Sequence, residues 1–294
     1  MSGWFQGPCA LTRQVNRKGN AGSPVEISRP CISAETSGMK YLLLLLPVCL
    51  ESCYGTDPVR SLSTQAIPTS SVTVSTTPRS WAFFLQHLPT ADGPVVDYTG
   101  KPIANQSKHS AVLTYDVGKR DLQQCADALI RLRAEYLFEA GRASEIAFRF
   151  TSGEWFRYKE YLAGLRPRIM AGRIHAGYVD PVPPSHASMR RYLDIVYAFA
   201  GTVSLHRDLL PASGFAIGTV IITPGSPGHC CLVVDQATDA QGITRYKLVE
   251  SYMPAQSIYV LKNEADGTPW HRLARGPITT ASYRFTDYSL KKFE

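Results

Sequence analysis

From Ser61 to Ser80, thirteen of twenty residues are Ser, Thr or Pro. A stretch of that composition carries too little apolar surface to offset the entropy of ordering it, so it reads as a tether and not as part of a core. It divides the chain of 294 residues in two. On its C-terminal side, residues 81–294 are long enough for one α+β domain with a sizeable core. On its N-terminal side the chain has a different character.

"MKYLLLLLPVCLESC", residues 39–53, has the layout of a secretory signal. Lys40 supplies the positive end, and Tyr41 to Leu50 form a ten-residue apolar run interrupted by Pro47. That run is too short to span a bilayer as a helix. "LESC" has the form of a lipoprotein cleavage box, which makes Cys53 the expected lipidation site and 39–52 the expected signal peptide. Glu51 departs from the small or apolar residue usual there. Residues 1–38 show no periodicity of their own and read as an upstream extension. With residues 53–80 as a flexible tether, the domain would reach on the order of 30 Å from a membrane surface. The expected location is the cell envelope, membrane-anchored, on the periplasmic or the outer face.

The chain carries 31 Lys and Arg against 24 Asp and Glu, a modest formal charge of +7. The densest basic stretch, Arg157 to Arg173, interleaves with Trp155, Phe156, Tyr158 and Tyr161. No nucleic-acid module surrounds it, so it reads as a solvated helical face with its aromatics turned inward, an anionic substrate or envelope surface being the other alternative, and no nucleic-acid partner is expected. Seven cysteines stand at positions 9, 31, 49, 53, 125, 230 and 231. None forms a C-x-x-C pair and no H-E-x-x-H is present, so neither a metal nor another cofactor is expected. A G-x-S-x-G elbow is also missing, which argues against a serine hydrolase. Nothing in the sequence specifies an oligomer.

Periodicity predicts a helix near Trp81–His87, a strand at Ala111–Val117, and a helix through "DLQQCADALIRLRAEYL", residues 121–137. A strand at Glu145–Phe150, a mixed helical region over Gly153–Pro184 and a helix from Met189 to about Ala200 follow. Strands are predicted at Thr219–Thr223, Cys230–Asp235, Tyr246–Ser251 and Ser257–Leu261. Helices first and an antiparallel sheet later make an α+β domain.

The helix at 121–137 sets a specific question. Leu122, Cys125, Leu129, Leu132 and Tyr136 recur at spacings of three and four, and Asp121 with Gln124 resembles a capping box. Cys125 is then either a core thiol or a nucleophile in the first turn, where the helix dipole favours a thiolate. "TPGSPGHCCLVVD", residues 223–235, supplies a base: His229 sits where a Gly/Pro turn becomes a strand. Beyond a turn at Asp239–Gly242, Glu250 shares a face with His229 in two of the accessible registers, directly opposite or diagonal. A one-residue slip would turn it away. Gln256 is the other candidate for the third role. Cys125, His229 and then a polar orienting residue is the chain order of papain-like and transglutaminase-like enzymes. The oxyanion donors would be the Cys125 backbone N–H with Gln123 or Gln124.

These stretches, with "YAFAGTVSL", "ESYMPAQSIYVLKN" and Pro269–Trp270, resemble a family of Bacteroidota-type bacterial envelope lipoproteins catalogued as domain of unknown function 4846. The resemblance covers almost all of residues 81–293 and implies export, but brings no activity with it. It implies Ala at the position of Cys230, which is therefore not a catalytic candidate, and often Gln at that of Glu250. A more distant resemblance to papain-like and transglutaminase-like folds implies a thiol hydrolase or acyltransferase acting on amide bonds, with a peptide or peptidoglycan stem as substrate. The competing expectation is a non-catalytic lipoprotein that binds a protein or glycan on the same scaffold.

Overall fold

The computed structural model describes residues 59–62, 71–171 and 173–294. The expected extension, signal peptide and lipidation site at Cys53 lie outside these residues.

Sixteen strands and five α-helices are described. The chain enters through β1 (Arg60–Ser61) and β2 (Val72–Thr73), then α1 (Trp81–Gln86), β3 (Pro89–Ala91) and β4 (His109–Leu113). Next come α2 (Cys125–Glu139), the pair β5 (Ala147–Arg149) and β6 (Trp155–Arg157), α3 (Tyr158–Leu162), and the pair β7 (Leu165–Met170) and β8 (Arg173–Tyr178). Helices α4 (His186–Phe199) and α5 (Thr202–Asp208) lead into β9 (Leu210–Pro211), β10 (Thr219–Thr223), β11 (His229–Thr238), β12 (Thr244–Glu250) and β13 (Tyr259–Leu261). The chain closes with β14 (Ile278–Thr279), β15 (Arg284–Phe285) and β16 (Ser289–Lys292).

A ten-stranded antiparallel sheet runs β1-β3-β4-β13-β12-β11-β10-β16-β9, with β2 added on β11. Its central strands are apolar on both faces, which is why β11 reads as a nearly continuous hydrophobic run. On one face Val220, Ile222, Cys230, Leu232, Val234, Val249 and Val260 pack under the helices. On the other, Ile221, Cys231, Val233, Leu248, Tyr259 and Leu261 pack under Ile278 and Phe285 of the small β14–β15 pair. The α+β class is as the sequence indicated.

Helix α2 is buried along almost its whole length, polar residues included. Burial of Arg131 and Glu135 is offset by their pairing, whereas burial pushes the Asp127 carboxyl well above its usual range. Arg131 pairs with Glu135 and reaches Asp116 at 3.3 Å, and His186 Nε2 lies 2.9 Å from Glu135.

Three expectations need correction. The Ser/Thr/Pro-rich stretch contributes to the fold: Leu62 is fully buried, and Val72–Thr73 pairs with Ala237 and Thr238. The buried Lys247 fastens this segment by donating to the Leu62 carbonyl at 2.9 Å. The Gly153–Pro184 region is mostly strand pairs around the short α3, because Gly153, Gly164 and Pro167 leave no uninterrupted helical period. The helix cap is also shifted. Gln124 is the N-cap residue, and its N–H donates to Asp127 Oδ2 at 3.1 Å, while Asp121 accepts from the Ala255 N–H at 2.7 Å.

Candidate functional site

Cys125 is the first residue of α2 and His229 the first residue of β11. This shared position brings them together. Cys125 belongs to the helical side of the sheet, whereas His229 shares its strand face with Cys231 and Val233 on the opposite side. Only at the rim, where β11 begins, can the imidazole reach round to the helix start. The tight turn before it makes this approach: Cys125 Sγ lies 3.8 Å from the Gly228 carbonyl oxygen. Gly228 admits no side chain, since a Cβ there would stand 2.3 Å from Thr202 Oγ1 and 2.7 Å from the Thr223 carbonyl.

The thiol and the imidazole act on each other electrostatically, each favouring the charged form of its neighbour. His229 Nε2 meets Glu250 Oε2 at 2.9 Å. The pairs Leu232↔Val249 and Val233↔Leu248 set the diagonal of the two workable registers. A bulge between Val233 and Asp235 shifts the register farther along, away from the site. The other Glu250 oxygen accepts from the Tyr259 hydroxyl at 2.6 Å, so both oxygens of this fully buried carboxylate are engaged. Tyr252, Tyr283 and Phe285 surround the ring at centroid distances of 4.8–5.6 Å, and His229 is 1% exposed. Water has little access to the imidazole.

This arrangement separates charge. The largest influence on Cys125 is a hydrogen bond from the Cys230 thiol, which lowers its pKa; burial opposes it, and the His229 contact and the Ala126 N–H assist. The result is about 5. Burial disfavours the imidazolium, but the influence of Cys125 and Glu250 outweighs it and raises His229 to about 9. Between these limits the pair is a thiolate facing an imidazolium. Cys230 and Cys231 go the other way, held well up in the thiol form by complete burial.

Cys125 opens onto a slot of about 330 Å³ with Gln124, Asp127, Ala198, Ala200, Gly201 and Gly228 among its walls. Larger hollows elsewhere do not touch Cys125 or His229. The first turn of α2 leaves the Cys125 N–H free of any intrahelical bond. Of the two expected side-chain donors, Gln124 lines the slot but its amide donates to Asp121 Oδ1 at 3.1 Å. Gln123 Nε2 is buried without a partner but lies off the slot wall, its Oε1 held by Arg131 at 3.2 Å. Gln256 is buried, its backbone bridged to Asp97 and accepting from the Ser251 hydroxyl at 2.8 Å, while Glu250 occupies the place beside His229. Among the described residues no group of three His, Cys, Asp or Glu is placed to hold a metal ion.

Two contributors were not singled out from the sequence. Alternation along β11 turns Cys230 to the helical face, which aims it at Cys125, and Tyr259 reaches Glu250 from the neighbouring β13. The first follows from the period of two once the helix is placed above that face; the second depends on strand order.

The fold and site define an α+β protein with a buried thiol at a helix start beside a buried imidazole–carboxylate pair. The chain belongs to the family described as domain of unknown function (4846), whose model matches residues 63–292. No curated protein and no solved structure matches it.

Proposed function

We propose that this protein is a thiol enzyme acting on amide bonds, with Cys125 as nucleophile, His229 as acid and base, and Glu250 as the group that orients the imidazole. The observation that carries this reading is the His229–Glu250 pair held next to Cys125, whose Sγ lies 3.8 Å from the carbonyl of the residue preceding His229, at the start of a buried helix. Chain order and helix-then-sheet organisation add a likeness to papain-like and transglutaminase-like enzymes.

In the first half-reaction the Cys125 thiolate attacks the amide carbonyl carbon, and the electron pair moves onto the oxygen. The free Cys125 N–H faces that developing charge. As the C–N bond breaks, the imidazolium gives its proton to the departing nitrogen, leaving a thioester on Cys125. In the second half, water or an amine attacks the thioester carbon and His229 takes its proton. The C–S bond then breaks and the thiolate returns. Water makes the protein a peptidase or amidase; an amine makes it an acyltransferase. The small residues along the slot suit a narrow peptide chain. With export and a lipid anchor at Cys53, peptidoglycan stems or envelope proteins are the substrates within reach.

A peptide acyl-electrophile tests the reading. Incubation should give a covalent adduct on Cys125, seen by mass spectrometry and lost in Cys125→Ala and His229→Ala. An intact, well-folded protein that forms no adduct, yet binds envelope glycans or proteins, would favour the non-catalytic scaffold.

A further inference from the structure

Strands β7 and β8 form a six-pair hairpin that belongs to no larger sheet. Its base is fixed: the Val179 N–H donates to the Gly164 carbonyl at 3.0 Å, and a Cβ on Gly164 would stand 2.1 Å from the Val179 oxygen. Leu165 and Ile174 pack back onto the helical core. The far end has no such cover. Ile169 and Met170, at the turn, are 62% and 59% exposed. The pairs Arg168↔His175 and Met170↔Arg173 place Arg168, Arg173 and His175 on the face that Met170 shares, while Ile169 lies on the other face with Ile174.

The charge pattern is one-sided. No Asp or Glu occurs between Glu160 and Asp180. Among the described residues no carboxylate pairs with Arg168 or Arg173, whereas Arg166 is occupied on the Tyr161 ring and its carbonyl. The paired hairpin thus presents an apolar tip with guanidinium groups along one of its faces.

We infer that the β7–β8 hairpin is a docking element for an anionic lipid surface, entering tip first. Ile169 and Met170 would leave water for the acyl boundary while Arg168 and Arg173 meet headgroup phosphates. An acidic protein would satisfy the arginines but gives no reason for the bare apolar tip. A lipid surface accounts for both at once, and the inference does not rest on the thiol chemistry.

Amide exchange followed by mass spectrometry tests this on the full chain carrying Cys53→Ala, with phosphatidylglycerol or phosphatidylcholine vesicles. The readout is confined to residues 165–178, which separates it from any contact made by the N-terminal apolar run. Phosphatidylglycerol should slow exchange there, phosphatidylcholine should not, and high salt should abolish the effect. In Arg168→Gln/Arg173→Gln the vesicle concentration for half-protection should rise about thirtyfold, at an unchanged melting temperature. Unchanged exchange with phosphatidylglycerol, or equal protection by both lipids, would overturn the assignment. So would protection by polyglutamate in place of vesicles, which would give the hairpin to an acidic protein partner.

Discussion

Glu250 occupies a place where a carboxylate is costly unless it is answered. It is fully buried, and its two oxygens are taken by His229 and Tyr259. An imidazolium opposite offsets the desolvation that the charge would otherwise cost. Glu250→Gln keeps the size of the side chain and removes the charge. The imidazolium then loses support, its pKa falls, and less thiolate forms. Alkylation of Cys125 at pH 6 should slow by about twofold for a pKa rise of one unit from about 5, and by about tenfold for a rise of two. An unaltered rate would remove Glu250 from the site. Tyr259→Phe retains the ring and drops one donor. It should lower stability by about 1–3 kcal/mol in a denaturant titration, because a buried acceptor loses its partner. Cys230→Ala removes the largest influence lowering the Cys125 pKa, so the midpoint of alkylation against pH should move up. A midpoint that stayed in place would mean that His229 and the helix start set the thiolate alone.

At the scale of elements, two features locate the site: the start of α2 and the turn into β11. Gly228→Ala tests the second. Its Cβ has no room beside Thr202 and Thr223, so the turn must open and carry His229 away from Cys125. Adduct formation should drop sharply while circular dichroism still reports a folded protein. Leu62→Ala tests whether the segment ahead of Trp81 belongs to the fold. Loss of a fully buried leucine should cost about 2–5 kcal/mol, whereas a leucine in a free tether would cost nothing measurable. The contrast between these segments shows what local sequence can carry. Helix α2 and strands β10 to β12 announce themselves, since each has its own period and its own turn residues. The strands β1 and β2 do not: two residues each, they exist only because Thr90 and Ala237 wait for them far along the chain. The β7–β8 hairpin was hidden behind glycines and a proline that read as breaks in a helix.

For the molecule as a whole, one sheet covered on both faces holds helix start and strand start at a common rim. The order Cys125, His229, Glu250 was legible because each residue type sits at an element boundary visible in one dimension. Their partners Cys230 and Tyr259 were not, because which side chain turns toward the rim follows from sheet order and from the placement of α2. If the chain is exported and anchored through Cys53, Cys53→Ala should move the protein from the membrane fraction to the soluble fraction or leave it unprocessed. Recovery of an uncleaved, cytoplasmic chain from both forms would contradict the envelope assignment.

The account stands on the charge-separated pair at the rim, and the pH dependence of thiol modification reads that pair directly. The native protein is alkylated briefly across a pH series, and the modified cysteine is identified by mass spectrometry. Cys125 alone should react among Cys125, Cys230 and Cys231. Its rate should rise as pH passes upward through about 5, where the thiolate forms, and hold level until His229 loses its proton near 9. A rise delayed to the ordinary thiol range, or modification of Cys230 or Cys231 with Cys125 untouched, would contradict it.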